Sequence, residues 1–591
     1  MRTFYTARDI DEIAAKGIRQ VALPQNAVLT DEAADRAARL GVEIRFGCSP
    51  TAAESAVAGN GSGPSQEQDV SLSSDEVAAI VRSVLASLDQ PRGNGNGSLA
   101  SNRRQLLVAG RWQDSATGKT LLVMNPANNE VIAEVSEGDQ RDVAVAVAAA
   151  KKAFESGPWP RMTATERGMR LQKVAELIRQ RAEKLALLET TNCGKPISQT
   201  TYVDVPATAD TFEFYAGAPT KIHGRTIPVP GNFLNYTVRE PLGVVGIIVP
   251  WNFPLLIGAW KLAPALAAGN TVVLKPSSLT PLSALELGQI CLDAGIPEGV
   301  VNVVVGPGAT VGNALVEHPD ISKIAFTGET TTGREIARVG SNSIKKITLE
   351  LGGKSPNIVF DDADIDRAVA GSLFAIYLNS GEVCAAGSRL LLHERIRDAF
   401  LERFVARAQR IRVGDPLRPE TQMGPLISAP HLEKVKGYVQ SALDDGAGLL
   451  TGGRSPSDPE CARGNYLLPT VFDGVHTGMR IAREEIFGPV VAVLTFRDEE
   501  EAIEIANGTI YGLAAGIWTR DVGRAHNVAS RLKVGNIWVN TYNLVPVEAP
   551  FGGYKQSGVG RDLGLDALDG YLQTKNVCVD LSEKGLDYFS L

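Results

Sequence analysis

One thiol, Cys384, sits among small and polar residues in Asn379-Ser380-Gly381-Glu382-Val383-Cys384-Ala385-Ala386-Gly387-Ser388-Arg389. A carboxylate, Glu350, lies 34 residues upstream in Thr348-Leu349-Glu350-Leu351-Gly352-Gly353-Lys354-Ser355-Pro356. A thiolate attacks carbonyl carbons and divides one difficult acyl transfer into two easier steps. A positioned carboxylate can take a proton from the water that then releases the acyl group. The two motifs together describe covalent chemistry at a carbonyl. Cys193, Cys291, Cys461 and Cys578 lack such surroundings and read as inert thiols, and the six histidines are isolated and carry no assigned role.

Three segments could hold ligands around such a centre. Val244–Val249 reads as a buried strand that ends in the polar turn Pro250-Trp251-Asn252-Phe253-Pro254. Thr271–Leu274 reads as a second strand that delivers Lys275 at its end. Phe326-Thr327-Gly328-Glu329-Thr330-Thr331-Thr332-Gly333 joins a strand to a helix. Its glycines let backbone amides approach a pyrophosphate, although the GxGxxG spacing is missing. Ligands of open α/β sheets bind beyond the carboxyl ends of strands. Helices over Arg141–Phe154 and Thr165–Leu188 alternate with strands over Val244–Val249, Thr271–Leu274 and Val301–Val305. That alternation predicts a parallel, doubly wound sheet.

The chain has 591 residues, which suggests roughly three or four domains. Its 44% hydrophobic and 21% charged residues are those of a globular protein, and its net charge of −8 argues against a nucleic-acid partner. The six cysteines form no CxxC pair, so neither a zinc ribbon nor a disulfide framework is expected, and no metal site is read. No apolar run approaches the ~20 residues of a membrane span, and the charged start is unlike a signal peptide. A cytoplasmic location is expected.

The first hundred residues differ from the rest. Residues 1–47 read as a small α/β unit with helices at Ile10–Ala15 and Thr30–Leu40 and strands at Gln20–Leu23 and Val42–Phe46. Linkers over 48–68 and 91–103 are rich in Gly, Ser and Asn. Between them, 69–90 holds an amphipathic helix. Ser73 and Glu76 make a capping box, and Val77, Ile80, Val81, Val84, Leu85 and Leu88 make one apolar face. A short helix between flexible linkers has no core of its own and needs a partner.

The order and spacing of the Glu350 and Cys384 motifs resemble those of the aldehyde dehydrogenase superfamily, and the likeness runs from about Gln105 to the end of the chain. The resemblance implies an α/β aldehyde dehydrogenase fold with an N-terminal extension. A doubly wound NAD(P)-binding domain would span 104–225 and 241–352, and an α/β catalytic domain 353–555. A β-arm and tail, 226–240 and 556–591, would join copies into a homodimer or homotetramer, with arm strands near Thr226–Glu240 and Tyr571–Leu581. Cys384 would attack a small aldehyde, giving a thiohemiacetal and then a thioester. Asn252 and the Cys384 backbone N–H would hold the oxyanion, and Glu350 would activate the hydrolytic water.

The implied cofactor is NAD, held by Val249, Trp251, Lys275, Ser278, Gly308, Gly328, Glu329, Gly333, Leu351, Glu485 and Phe487. Lys275 would meet the adenine ribose, and Glu485 and Phe487 the nicotinamide ribose. Two residues depart from the family pattern. Ser278 stands where NAD-selective members usually carry Glu, which leaves NADP open. Glu329 replaces the usual Ser of the phosphate turn, where an anion is unfavourable unless it points away. Phe253, Trp260, Tyr377 and Phe551 would line the aldehyde tunnel, and Glu548 is either a polar contact there or a structural carboxylate. CoA-acylating members usually lack the Glu350 carboxylate, so its presence favours hydrolysis. Two alternatives are a CoA-acylating enzyme and a catalytically silent assembly protein. The 72–88 helix resembles the encapsulation peptides of bacterial microcompartment enzymes, which implies a shell-protein partner.

Overall fold

The computed structural model describes residues 4–5, 20–23, 28–29, 37, 40, 42–46, 103–585 and 589. The chain divides into two units, Met1–Ser71 and Leu72–Leu591. In the first, strands Gln20–Leu23 and Glu43–Phe46 pair in parallel, as do Phe4–Tyr5 and Val28–Leu29. Parallel pairing of 20–23 with 43–46 fits the expected strands, and Ala37 and Leu40 between them are helical. The expected helix Ile10–Ala15, both linkers and the 69–90 helix lie outside the described residues.

The second unit is built on two large sheets. Five strands of the first, Lys346–Glu350, Ile321–Thr327, Val244–Ile248, Thr271–Lys275 and Val301–Val303, lie side by side in that order, all parallel. Antiparallel strands extend both edges: Leu106–Val108 and then Arg111–Gln113 beyond Val301–Val303, and Gly558–Val559 beside Lys346–Glu350. Every residue of Val244–Ile248 and Thr271–Lys275 is buried, because helices cover both faces of a parallel sheet. The sequence expectation extended 301–305 as strand, but pairing ends at Val303.

In the second sheet Thr470–Asp473, Val490–Phe496, Arg389–His393, Pro356–Val359, Ala514–Trp518 and Asn536–Val539 run parallel, and Gly448–Thr451 closes one edge antiparallel. Leu391 faces one apolar core, while Leu390 and Leu392 face another on the opposite side. Alternate side chains of a strand point to opposite faces, so this sheet too is buried on both.

Local chemistry sets the helix boundaries. Asp139 with Asp142, and Thr163 with Glu166, form capping boxes at the starts of Gln140–Glu155 and Ala164–Gln180. The single helix expected over Thr165–Leu188 is two, Ala164–Gln180 and Ala182–Cys193, parted at Arg181 (φ −106, ψ 16). No Gly or Pro marks that break, so the sequence gives no sign of it.

The arm is a two-stranded antiparallel ribbon, Phe233–Pro241 with Leu572–Asp580. Phe233, Leu234 and Val579 are exposed along it. Residues 558–559 belong to the first sheet and 566–569 form a short helix whose Ala567 and Leu568 join the first core, so the tail only partly serves the arm. No helix among the described residues is long and apolar enough to cross a membrane.

Candidate active site

Glu350 is the last residue of its strand, and Asn252 follows Val244–Ile248 by a short turn, so both stand at carboxyl strand ends of the first sheet. Cys384 arrives differently. It follows three consecutive left-handed residues, Asn379 (φ 45), Ser380 (φ 56) and Gly381 (φ 75). Such a run is costly for side-chain-bearing residues and persists only where its surroundings hold it. Here the Asn379 amide donates to the Asn252 carbonyl (3.1 Å), and Ser380 Oγ donates to the Gly424 carbonyl (2.9 Å). A Cβ on Gly381 would stand 2.2 Å from the Gly488 oxygen, so only glycine fits.

Two cavities meet at Cys384. One, of about 350 Å³, is a groove of mixed polar and apolar lining that contains Asn252, Glu350 and Cys384. Of the residues expected to hold a cofactor, Trp251, Gly328, Glu329, Leu351, Glu485 and Phe487 line it. The other, of about 740 Å³, is a mainly apolar tunnel. Phe253, Trp260 and Phe551 line it, and the Trp260 and Phe551 rings lie 5.3 Å apart. Cys384 thus lines both the mixed groove and the mainly apolar tunnel.

The electrostatics are those of a dry site. Burial, and then the Glu485 and Glu350 carboxylates, push the Cys384 thiol up to about 12, against some relief from the backbone N–H groups of Ala385 and Cys384. Burial and then Asp562 raise Glu350 well above the ordinary carboxylate range, with Lys261 and Arg561 opposing. Both Glu350 oxygens are buried without a hydrogen-bond partner. Gly552 makes room for them, since a Cβ there would sit 2.6 Å from Oε1. The Asn252 amide donates to the Glu382 carbonyl (2.8 Å), which fixes its orientation and leaves its second N–H available.

The groove has features that suit a dinucleotide. No side chain caps helix Thr330–Gly340, so its first N–H groups are free for an anion. Glu329, at the head of that helix, is exposed and binds none of those N–H groups. Glu485 accepts from Gly353 N–H (3.0 Å), and burial lifts its carboxyl to about 7. Phe487 takes a left-handed φ of 61°, packs edge-on against Trp251 at 5.1 Å, and bonds through its carbonyl to His431 Nε2 (2.6 Å).

Several expected residues lie elsewhere. Val249, Lys275, Ser278, Gly308 and Gly333 do not line the groove. Val249 N–H donates to the Lys275 carbonyl, and Lys275 Nζ donates to the Pro276 carbonyl, so these two are tied to each other. Burial lowers the Lys275 ammonium to about 8. Gly308 opens the turn 308–312, whose Gly312 lies against the Lys275 side chain. Gly333 packs its helix onto Leu351, where a Cβ would come within 2.5 Å. Tyr377 lines a neighbouring cavity that shares a wall with the tunnel. It is absent from the tunnel, is buried against Phe404, and donates to the Thr470 carbonyl (3.4 Å), while its neighbour Leu378 lines the tunnel. Glu548 is exposed and lines neither cavity.

Sequence reasoning missed Lys261, Asp562 and His431. Lys261 Nζ and Asp562 form a fully buried ion pair at 2.6 Å. A lysine inside the otherwise apolar helix Pro254–Ala267 was a usable signal, because a buried charge demands a partner. His431 lines the groove, and burial lowers its imidazole to about 4, so it is neutral. Nothing near it in the sequence indicates this.

Residues 112–577 match the aldehyde dehydrogenase family. The chain belongs to that family. The dehydrogenase is 48% identical over 489 residues to aldehyde dehydrogenase family 2 member B4, mitochondrial, of Arabidopsis thaliana, covering 83% of this chain and 90% of that protein. It is 46% identical to the betaine aldehyde dehydrogenase of Bacillus subtilis, over 82% of this chain and 99% of that one. The NAD+ complex of an aldehyde dehydrogenase from Bacillus cereus superposes with a TM-score of 0.80 at 46% identity, covering 82% of this chain and 97% of that one. A putative aldehyde dehydrogenase from Burkholderia cenocepacia gives 0.81 at 48% identity, over 82% and 99%. As a member of this family the dehydrogenase is an oxidoreductase.

Proposed function

We propose that this dehydrogenase oxidises an aldehyde to the free carboxylic acid with NAD, through a Cys384 thioester that water hydrolyses. The observation that carries the reading is the position of Cys384 where the groove meets the mainly apolar tunnel. An aldehyde in the tunnel reaches the thiol from one side, and a cofactor in the groove faces it from the other. Bound NAD supplies the hydride acceptor, and its positive ring favours the thiolate that burial disfavours.

The Cys384 thiol gives up its proton to solvent, the thiolate Sγ adds to the carbonyl carbon, and the oxyanion is held by the free N–H of Asn252 and the Cys384 backbone N–H. Such donors are worth about 3–4 kcal/mol each when aimed at the developing charge. Loss of hydride from the thiohemiacetal leaves the thioester. Glu350, in its carboxylate form, then takes a proton from water. The hydroxide adds to the thioester carbon, the C–S bond breaks, and the acid leaves with Cys384 regenerated. Glu485 and Phe487 would hold the nicotinamide ribose, and the uncapped helix at Thr330 the pyrophosphate. Lys275, Val249, Ser278 and the 308–312 turn would serve the adenosine end, with Ser278 leaving NADP usable.

Trapping tests the covalent step. Denaturing mass spectrometry of enzyme mixed with aldehyde and NAD should find an acyl adduct on Cys384; an adduct elsewhere, or none while product forms, contradicts the reading. The exposed apolar arm supports oligomerisation through 233–241 and 572–580. We further propose that 72–88 is an address helix for a microcompartment shell. Fusing 69–90 to a fluorescent protein should recruit it to shells, and a fusion that stays diffuse while the full chain is recruited refutes this.

A further inference from the structure

We infer that the preferred aldehyde carries an anionic group, carboxylate or phosphate, at the far end of an apolar chain. The inference rests on the proposed function and names the substrate class of the same site. Beside the tunnel lies a second cavity of about 580 Å³. The two share Val203, Ala370, Phe374 and Leu378, so one wall borders both. The second cavity joins apolar surface to three guanidinium groups, those of Arg407, Arg410 and Arg412, and no carboxylate lines it.

Across the two linings taken together, cations outnumber carboxylates. The only acidic residue lining the tunnel is Asp210, which shares Arg179 (2.7 Å) with Glu213. Arg367 adds a fourth cation on the tunnel side. Among the described residues, no carboxylate forms an ion pair with Arg367, Arg407, Arg410 or Arg412, whereas most other arginine side chains of the exposed surface are paired. Arg412 Nε donates only to the Glu420 carbonyl (2.6 Å). The chain as a whole is net negative, so a group of four arginines without ion-pair partners is not a consequence of composition.

Guanidinium groups present planar donor forks that match carboxylate and phosphate oxygens. A substrate whose aldehyde reaches Cys384 would lay its methylenes along the apolar tunnel and bring its other end out past Phe374 toward the arginines. Exposed pairs are individually weak and screened by salt, so the expected preference is modest and salt-dependent.

The test compares unbranched alkanals with the ω-carboxy- and ω-phosphooxyalkanals of the same lengths, over a rising length series. Beyond a threshold length, kcat/KM for an anionic substrate should exceed that for its neutral counterpart by about tenfold, mainly through KM. The ratio should fall with added KCl and approach one in the Arg407→Ala/Arg410→Ala double variant. Preference for either anion supports the inference, and the larger preference names the head group. A ratio at or below one at every length, or one untouched by salt and by the double variant, overturns it. Failure to oxidise any aldehyde of either series would instead count against the proposed function.

Discussion

At the scale of single residues, the site pairs two groups that burial keeps neutral. Cys384 is pushed up to about 12, and Glu350 stands well above the ordinary carboxylate range. A base with a raised pKa is mostly protonated below that value, so thioester hydrolysis should quicken as pH rises through it. Glu350→Gln should lower steady-state kcat by about 10²–10⁴-fold. It should also convert turnover into a single burst of reduced cofactor with acyl-enzyme accumulating, as read by stopped-flow absorbance and mass spectrometry. Cys384→Ala should abolish oxidation while the protein still binds NAD by calorimetry. Asp562 raises Glu350 and Lys261 lowers it. Asp562→Asn removes the first and leaves the second unopposed, so the rising limb of the pH profile should move to lower pH. The same variant leaves a buried ammonium unpaired, at a cost of about 3–5 kcal/mol in stability.

At the scale of elements, strand ends and one strained turn place these groups. The Cys384 and Glu350 motifs stood out in sequence because each is contiguous and because their order and spacing resemble those of the aldehyde dehydrogenase superfamily. So were the strands 244–248 and 271–275, whose continuous apolar runs are what two-sided burial requires. Periodicity does not fix which of the adjacent Tyr377 and Leu378 faces which cavity when a left-handed run, 379–381, follows so closely. The Lys261–Asp562 pair spans 301 positions, and no local pattern joins residues so far apart. His431 escaped for the same reason. Gly381→Ala tests the turn, because its Cβ would meet the Gly488 oxygen and its φ is 75°. It should cost about 1–3 kcal/mol in unfolding free energy and lower kcat by displacing Cys384. Unchanged kcat in a destabilised protein would mean that the turn serves stability alone.

At the scale of the whole molecule, the family match covers 112–577 and leaves the first hundred residues outside it. Both large sheets and the groove between strand ends lie within 103–585. Removing residues 1–102 should therefore leave kcat and KM within about twofold, since no residue of either cavity is lost. The arm carries exposed Phe233 and Leu234, and the protein should lose mass by light scattering when both become Asp. Unchanged mass would place the contact between copies elsewhere.

The most direct test of the central claim is product identification. Purified enzyme, a short aliphatic aldehyde and NAD are incubated with and without CoA, and products are resolved by mass spectrometry. Hydrolysis by Glu350 predicts free carboxylic acid at the same rate in both. Acyl-CoA formed in place of acid whenever CoA is present would contradict it, and would make this dehydrogenase an acylating enzyme in spite of its glutamate.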